Sequence, residues 1–344
     1  MKTSIFTLLN DYQDLQNKTI ILQGWIRTNR SQKDFGFINL NDGSTLSNIQ
    51  IVYGKELANF AEISKFRVGC ALTVRGAVIL TPHNKQPFEI KADEVILEAD
   101  SLDSYPIQPK RHSREFLREQ AHLRARTNLF NATFRIRSLL AFAIHEFFRK
   151  NNFIYVHTPI ITASDAEGAG EMFQVTTMDL NNIPKKDGSV DFSKDFFGKH
   201  VNLTVSGQLE AETFALAFKN VYTFGPTFRA ENSNTTRHAS EFWMIEPEMA
   251  FADLNDDMDV IESLLKYVVQ YILDNAIEEL KFFDEFVFPG KIEQLQAFIN
   301  SKIVRCDYEK AIQILKESPI NFENKILYGD DLATEHEKYL TDVY

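Results

Sequence analysis

Between residues 19 and 97 the chain alternates short apolar, β-branched runs with turn residues, a pattern that predicts five strands, over 19–27, 35–40, 47–53, 69–80 and 87–97. Between the third and fourth, Leu57, Phe60, Ala61 and Ile63 recur at helical spacing. Residues 101–110 carry two prolines in a polar setting and read as a linker. From Asn128 onward the apolar positions Leu129, Ala132, Ile136, Leu140, Ala143 and Phe147 step by three and four, one face of a helix that stops near Asn151 and Asn152. A strand over 153–156 leads to Thr158 and Pro159, where proline implies an edge or an interface. Further strands are predicted around 172–177, 201–206, 221–228 and 242–251, with a polar interruption over 184–199. Residues 255–280 and 291–317 read as helices, broken at Phe288, Pro289 and Gly290, so the fold class is α+β.

Five strands with a helix between the third and fourth resemble an OB-fold barrel, which binds single-stranded nucleic acid by stacking bases on exposed aromatics beside cations. Phe35, Phe37 and Tyr53 are the candidate aromatics, with Arg27, Arg30 and Lys33 close in sequence. Composition keeps the chain among soluble globular proteins, since 344 residues with 44% hydrophobic and 25% charged positions suit two domains. No apolar run approaches the ~20 residues of a membrane span, and the opening run Ile5 to Leu9 is too short for a signal-peptide core. Cys70 and Cys306 form neither a disulfide framework nor a zinc pair, which points to a reducing cytoplasm. A net charge of −11 argues against a nucleic-acid partner until its distribution is read: 106–137 carries +6, while 252–344 alone carries −11. On charge alone the basic stretch also fits a solvated helix face.

The chemistry concentrates in 224–248, where two strands flank a polar loop. A cation at the end of one strand and others in the loop can converge on a polyphosphate while an aromatic on the return strand offers a stacking face. This string resembles motif 2 of the class II aminoacyl-tRNA synthetases: Phe228-Arg229-Ala230-Glu231 matches its Phe-Arg-x-Glu element, Arg237 and His238 its loop pair, and Phe242 its adenine-stacking aromatic. The segment from Asn128 to Pro159 resembles motif 1 of the same class, and 162–173 and 204–212 resemble the amino-acid-binding segments of the aspartate and asparagine branch. With the barrel placed N-terminally, the resemblance covers nearly the whole chain and is nearest to the bacterial asparaginyl-tRNA synthetase family, in which 184–199 is similar to an insertion.

The resemblance implies an OB-fold anticodon-binding domain over 1–104, a linker over 105–111, and over 112–344 an incomplete class II antiparallel sheet with flanking helices. It implies a ligase that activates asparagine with ATP and transfers it to tRNA(Asn), with Arg229 on the α-phosphate, Arg237 and His238 on the outer phosphates, Phe242 on adenine, and Glu231 at the adenine edge or the tRNA end. Mg2+ is expected with ATP, its ligands unassigned. Glu167, Ser206, Gln208, Glu246 and Glu248 are the implied amino-acid-binding residues, and Arg27, Phe37 and Gln50 the anticodon-binding ones. Aspartate needs a cation, and where the aspartyl branch has a lysine this chain has Ala211; Glu246 supplies an acceptor that suits an amide. A homodimer through the segment ending at Pro159 is expected. The chain stops at Tyr344 with no counterpart to motif 3, so an inactive or impaired, shortened synthetase is expected. Two other readings compete: an OB-fold RNA-binding module without catalysis, and an asparagine synthetase built on a synthetase core, which the Ala211 argument opposes.

Overall fold

The computed structural model describes all residues except 85, 167, 169, 170, 233–237, 343 and 344. After a short helix α1 (Ile5–Asp11), five strands, β1 (Thr19–Ser31), β2 (Phe35–Asn41), β3 (Ile49–Gly54), β4 (Ala71–Leu80) and β5 (Phe88–Ala99), close into a barrel of order β1-β2-β3-β5-β4, with α2 (Phe60–Ile63) between β3 and β4. Alternation makes the core: Ile20, Leu22 and Ile26 of β1 point inward with Ile38 and Leu40 of β2 and Ile49 and Ile51 of β3, all essentially without exposure. Tyr53 joins them, its hydroxyl donating to Asn29 Oδ1 at 2.9 Å, so it is a core residue and not the stacking surface expected from sequence. Gly36 makes room for it, because a Cβ there would stand 2.3 Å from the Tyr53 ring.

Helix α3 (Arg114–Glu119) precedes α4 (Asn128–Lys150), whose N-cap Thr127 accepts from the Phe130 amide and whose last turn carries Arg149 and Lys150. Asn152, at φ 61°, turns the chain into β6 (Ile154–Tyr155). The sheet beyond α4 has the order β13-β12-β6, with β12 (Asn220–Phe228) and β13 (Glu241–Met249) forming a long hairpin. The expectation of an antiparallel sheet needs one correction, since β6 runs parallel to β12; the chain between them makes a crossover that includes a helix, as a parallel neighbour requires. Phe148 of α4 stacks on Tyr222 of β12 at 4.2 Å, which fixes the helix on the sheet. A second small sheet, β7 (Ile161–Thr162), β11 (Val201–Leu203) and β8 (Gln174–Val175), carries the 184–199 interruption, which folds as the hairpin β9 (Lys185–Lys186) and β10 (Ser189–Val190).

Helix α5 (Gln208–Phe218) follows β11. The helix expected over 255–280 is two helices, α6 (Leu254–Asn275) and α7 (Ile277–Phe286), because Ala276 leaves helical geometry where Asn275 folds back on the Tyr271 carbonyl. Likewise 291–317 divides into α8 (Lys291–Asn300) and α9 (Tyr308–Glu317), before a final α10 (Thr334–Asp342). The chain separates into two compact units, Met1–Leu295 and Gln296–Tyr344. In the second, buried His336 accepts from the Ala333 amide and pairs through Nε2 with the Asn324 carbonyl.

Candidate active site

Hairpin register sets the site: Thr223 stands opposite Glu246, and Thr227 opposite Phe242. The Glu246 carboxylate takes three donors, Ser206 Oγ at 2.5 Å, Thr223 Oγ1 at 2.8 Å and the Gly207 amide at 3.3 Å. Glycine is required at 207, because a Cβ would stand 2.3 Å from Thr158 Oγ1. Ser206 is itself held, accepting from the Gln208 amide at 3.1 Å and donating its own amide to Thr204 Oγ1. A carboxylate offers about four acceptor positions, so close to one is left for a ligand donor. Gln208 is turned toward Glu212, 3.1 Å away. Ala211 is fully buried with Val156, Ala215 and Val221, an apolar setting that leaves no room for a charge at this position.

Glu248 lies two residues beyond Glu246 on the same strand face, and its carboxyl is pushed up to about 7, chiefly by burial and then by Glu212, Glu246 and Asp257. At the other end of the hairpin the Arg229 guanidinium stands 5.5 Å over the Phe242 ring, and its buried Nε has no hydrogen-bond partner among the described residues. A buried donor without an acceptor fits a site that receives a phosphate oxygen. The Arg229 and Ala230 amides bind the Ser240 and Glu171 carbonyls, which ties the end of β12 to the segment before β8. Glu231 is exposed; His238 borders the loop, and Arg237 and Glu167 lie outside the described residues. Among the described residues no group of three or more His, Cys, Asp or Glu could hold a metal. Thr223 is the residue that sequence reasoning missed, because its part depends on the register of β12 against β13, which no local pattern in the sequence encodes.

On the barrel, Arg30, Phe37, Val52 and Lys91 form one row across the outer face, and Thr28, Asn39 and Gln50 the next. Phe37 is half-buried, edge-on to exposed Phe35 at 5.4 Å, while Gln50 donates to Glu89 at 3.0 Å. Arg27 does not join this face. It is the extra residue of a β-bulge between Ile26 and Thr28, and its guanidinium donates to the Arg126 carbonyl and to Asn128 Oδ1. Pro159 is exposed, near Ile154, Tyr155 and Ile161, which are each more than two-fifths exposed. No helix among the described residues is long and apolar enough to cross a membrane.

Residues 113–344 match the family of class II tRNA synthetases for aspartate, lysine and asparagine, and 20–98 match the OB-fold nucleic acid binding domain. The asparagine-tRNA ligase of Acholeplasma laidlawii is 58% identical over 344 residues, covering 99% of this chain and 74% of that protein; the Clostridium tetani ligase is 57% identical over 342 residues, with the same coverage. The crystal structure of Pyrococcus horikoshii asparaginyl-tRNA synthetase complexed with asparaginyl-adenylate superposes with a TM-score of 0.81 at 27% identity, covering 96% of this chain and 70% of that one. A five-stranded barrel, a motif 2 hairpin with its Arg229 and Phe242 pair, and this level of identity converge: the chain belongs to the asparagine-tRNA ligases of the class II aminoacyl-tRNA synthetases.

Proposed function

We propose that Glu246 selects asparagine in this ligase by accepting a hydrogen bond from the substrate amide. The observation that carries the reading is the cradle of Ser206, Thr223 and the Gly207 amide, which holds the carboxylate with little acceptor capacity left. An aspartate carboxylate would bring a like charge to the same place, and the buried Ala211 supplies no counter-cation. Gln208 and Glu167 serve the α-ammonium side, with Glu248 a further amino-acid-binding residue. Activation then needs positioning more than proton transfer: Arg229 neutralises the α-phosphate as the asparagine carboxylate attacks it, His238 and Arg237 hold the outer phosphates, and Phe242 stacks on adenine with Glu231 at its edge. ATP supplies the adenylyl group, the α–β phosphoanhydride bond breaks and pyrophosphate leaves, and Mg2+ would screen the charge of the phosphates. Calorimetric titration of the chain with asparagine and with aspartate tests the reading; asparagine should bind more tightly, and equal affinities would overturn it.

For tRNA(Asn), the outer face of the barrel is the anticodon-binding surface, with Phe37 stacking on a loop base and Gln50 beside it, in a domain over 1–104 joined by 105–111 to the catalytic part. A second copy of the chain covers Ile154, Tyr155 and Pro159, which makes a homodimer. The cytoplasm suits its two unpaired cysteines.

A further inference from the structure

A cavity of about 710 Å3 lies away from the hairpin, between the barrel and the start of α4. Its walls include Arg27, Lys110, Arg111 and Arg126 and, among the described residues, no Asp or Glu. Acids outnumber bases 48 to 37 in the chain, so a wall of cations alone is a departure from the background. Arg27 gives its hydrogen bonds to neutral oxygens, and burial pushes its pKa down; it has lost water without gaining a counter-charge. Arg126 donates to the Tyr105 hydroxyl at 3.3 Å, another neutral partner. Thr127, Asn128 and Leu129 also line the cavity, so the positive end of the 23-residue helix α4 is part of its wall.

The remainder is aromatic: Trp25, Tyr105, Phe282 and Phe286. An inorganic anion would leave these rings unused and most of the volume empty, whereas the size suits a ligand with a planar, apolar part. We propose that this cavity is a nucleotide site separate from the adenylation site, with phosphate against Arg27, Arg126 and the first turn of α4, and the base against the aromatic wall. A phosphorylated nucleoside can come free or as an unpaired nucleotide of RNA. The second source is within reach, because the β1–β2 face that carries Phe37 continues to the pair Trp25 and Asn41 at the cavity.

The chain has only two tryptophans, Trp25 and Trp243, so Trp243→Phe leaves Trp25 as a reporter inside the cavity. Titrating this variant with GTP, with a single-stranded RNA tetranucleotide and with tripolyphosphate should give saturable quenching by GTP or the tetranucleotide with Kd below about 100 μM, and at least about tenfold weaker binding of tripolyphosphate. The tighter of the first two identifies the source. Adding Lys110→Glu and Arg111→Glu, both exposed positions, should weaken binding about tenfold or more while the far-ultraviolet spectrum stays unchanged. Absence of quenching up to about 1 mM, parity with tripolyphosphate, or indifference to the charge reversal would each overturn the proposal.

Discussion

Three donors around one carboxylate, Ser206, Thr223 and the Gly207 amide, decide what Glu246 can still do. Glu246 and Ser206 follow from the strings that carry them, 224–248 and 204–212, and Gly207 lies beside Ser206. Thr223 does not, since only strand register brings it opposite Glu246. Its loss is open to test: Thr223→Val removes one charge-assisted hydrogen bond within the protein and should cost about 1.5–3 kcal/mol of stability, read from urea unfolding, with little change if the hydroxyl is incidental. Glu248 gives a pH-dependent test. Its carboxyl is raised from an ordinary 4.5 to about 7, so between those values the folded state keeps a proton that the unfolded state has lost. Stability therefore falls as pH rises through this window. Glu248→Gln should raise the unfolding free energy at pH 8 by about 1 kcal/mol, the gain moderated by solvent screening, and should leave it unchanged near pH 4. Urea midpoints showing the same gain at both pH values would contradict this account.

At the scale of elements, alternation was legible in the barrel and its interruptions were not. Ile38, Leu40, Ile49 and Ile51 point inward as the period-2 pattern requires, which leaves Phe37 and Gln50 outward. A bulge has no simple signature in one sequence, so Arg27 could not be separated from Arg30, although the bulge re-aims it from the Phe37 face to the start of α4. Phe37→Ala should weaken tRNA(Asn) binding about 5- to 150-fold, from about 1–3 kcal/mol for one stacked base, in a filter-binding assay. Arg30→Ala and Lys91→Ala, at the two ends of the same row, should weaken it and flatten its salt dependence. Around β6 the exposed Ile154 and Tyr155 are the apolar surface that a second copy would cover. Tyr155→Glu should shift sedimentation from dimer to ~40 kDa monomer at micromolar concentration, whereas a wild-type chain already monomeric there would remove the interface from consideration.

At the scale of the molecule, the order of parts was readable from two prolines and a change in periodicity, but the contacts across the linker were not. Glu278 of α7 accepts from the Leu46 amide and the Ser47 hydroxyl of the barrel, and Arg135 of α4 donates to the Gly43 carbonyl. These are pairings between residues about a hundred or more positions apart, which no local pattern encodes. Glu278→Ala should loosen that junction and speed cleavage within 101–111 under limited proteolysis, with barrel and remainder each persisting as fragments. The selectivity of the ligase is the claim on which the account depends, and asparaginyl- and aspartyl-sulfamoyl-adenosine test it most directly, because under the proposed assignment each would span the Arg229–Phe242 end and the Glu246 cradle in one ligand. Calorimetry should give at least about tenfold tighter binding of the asparaginyl compound, with Glu246→Gln narrowing the gap; equal affinities in the unmodified chain, or a gap untouched by that substitution, would contradict it.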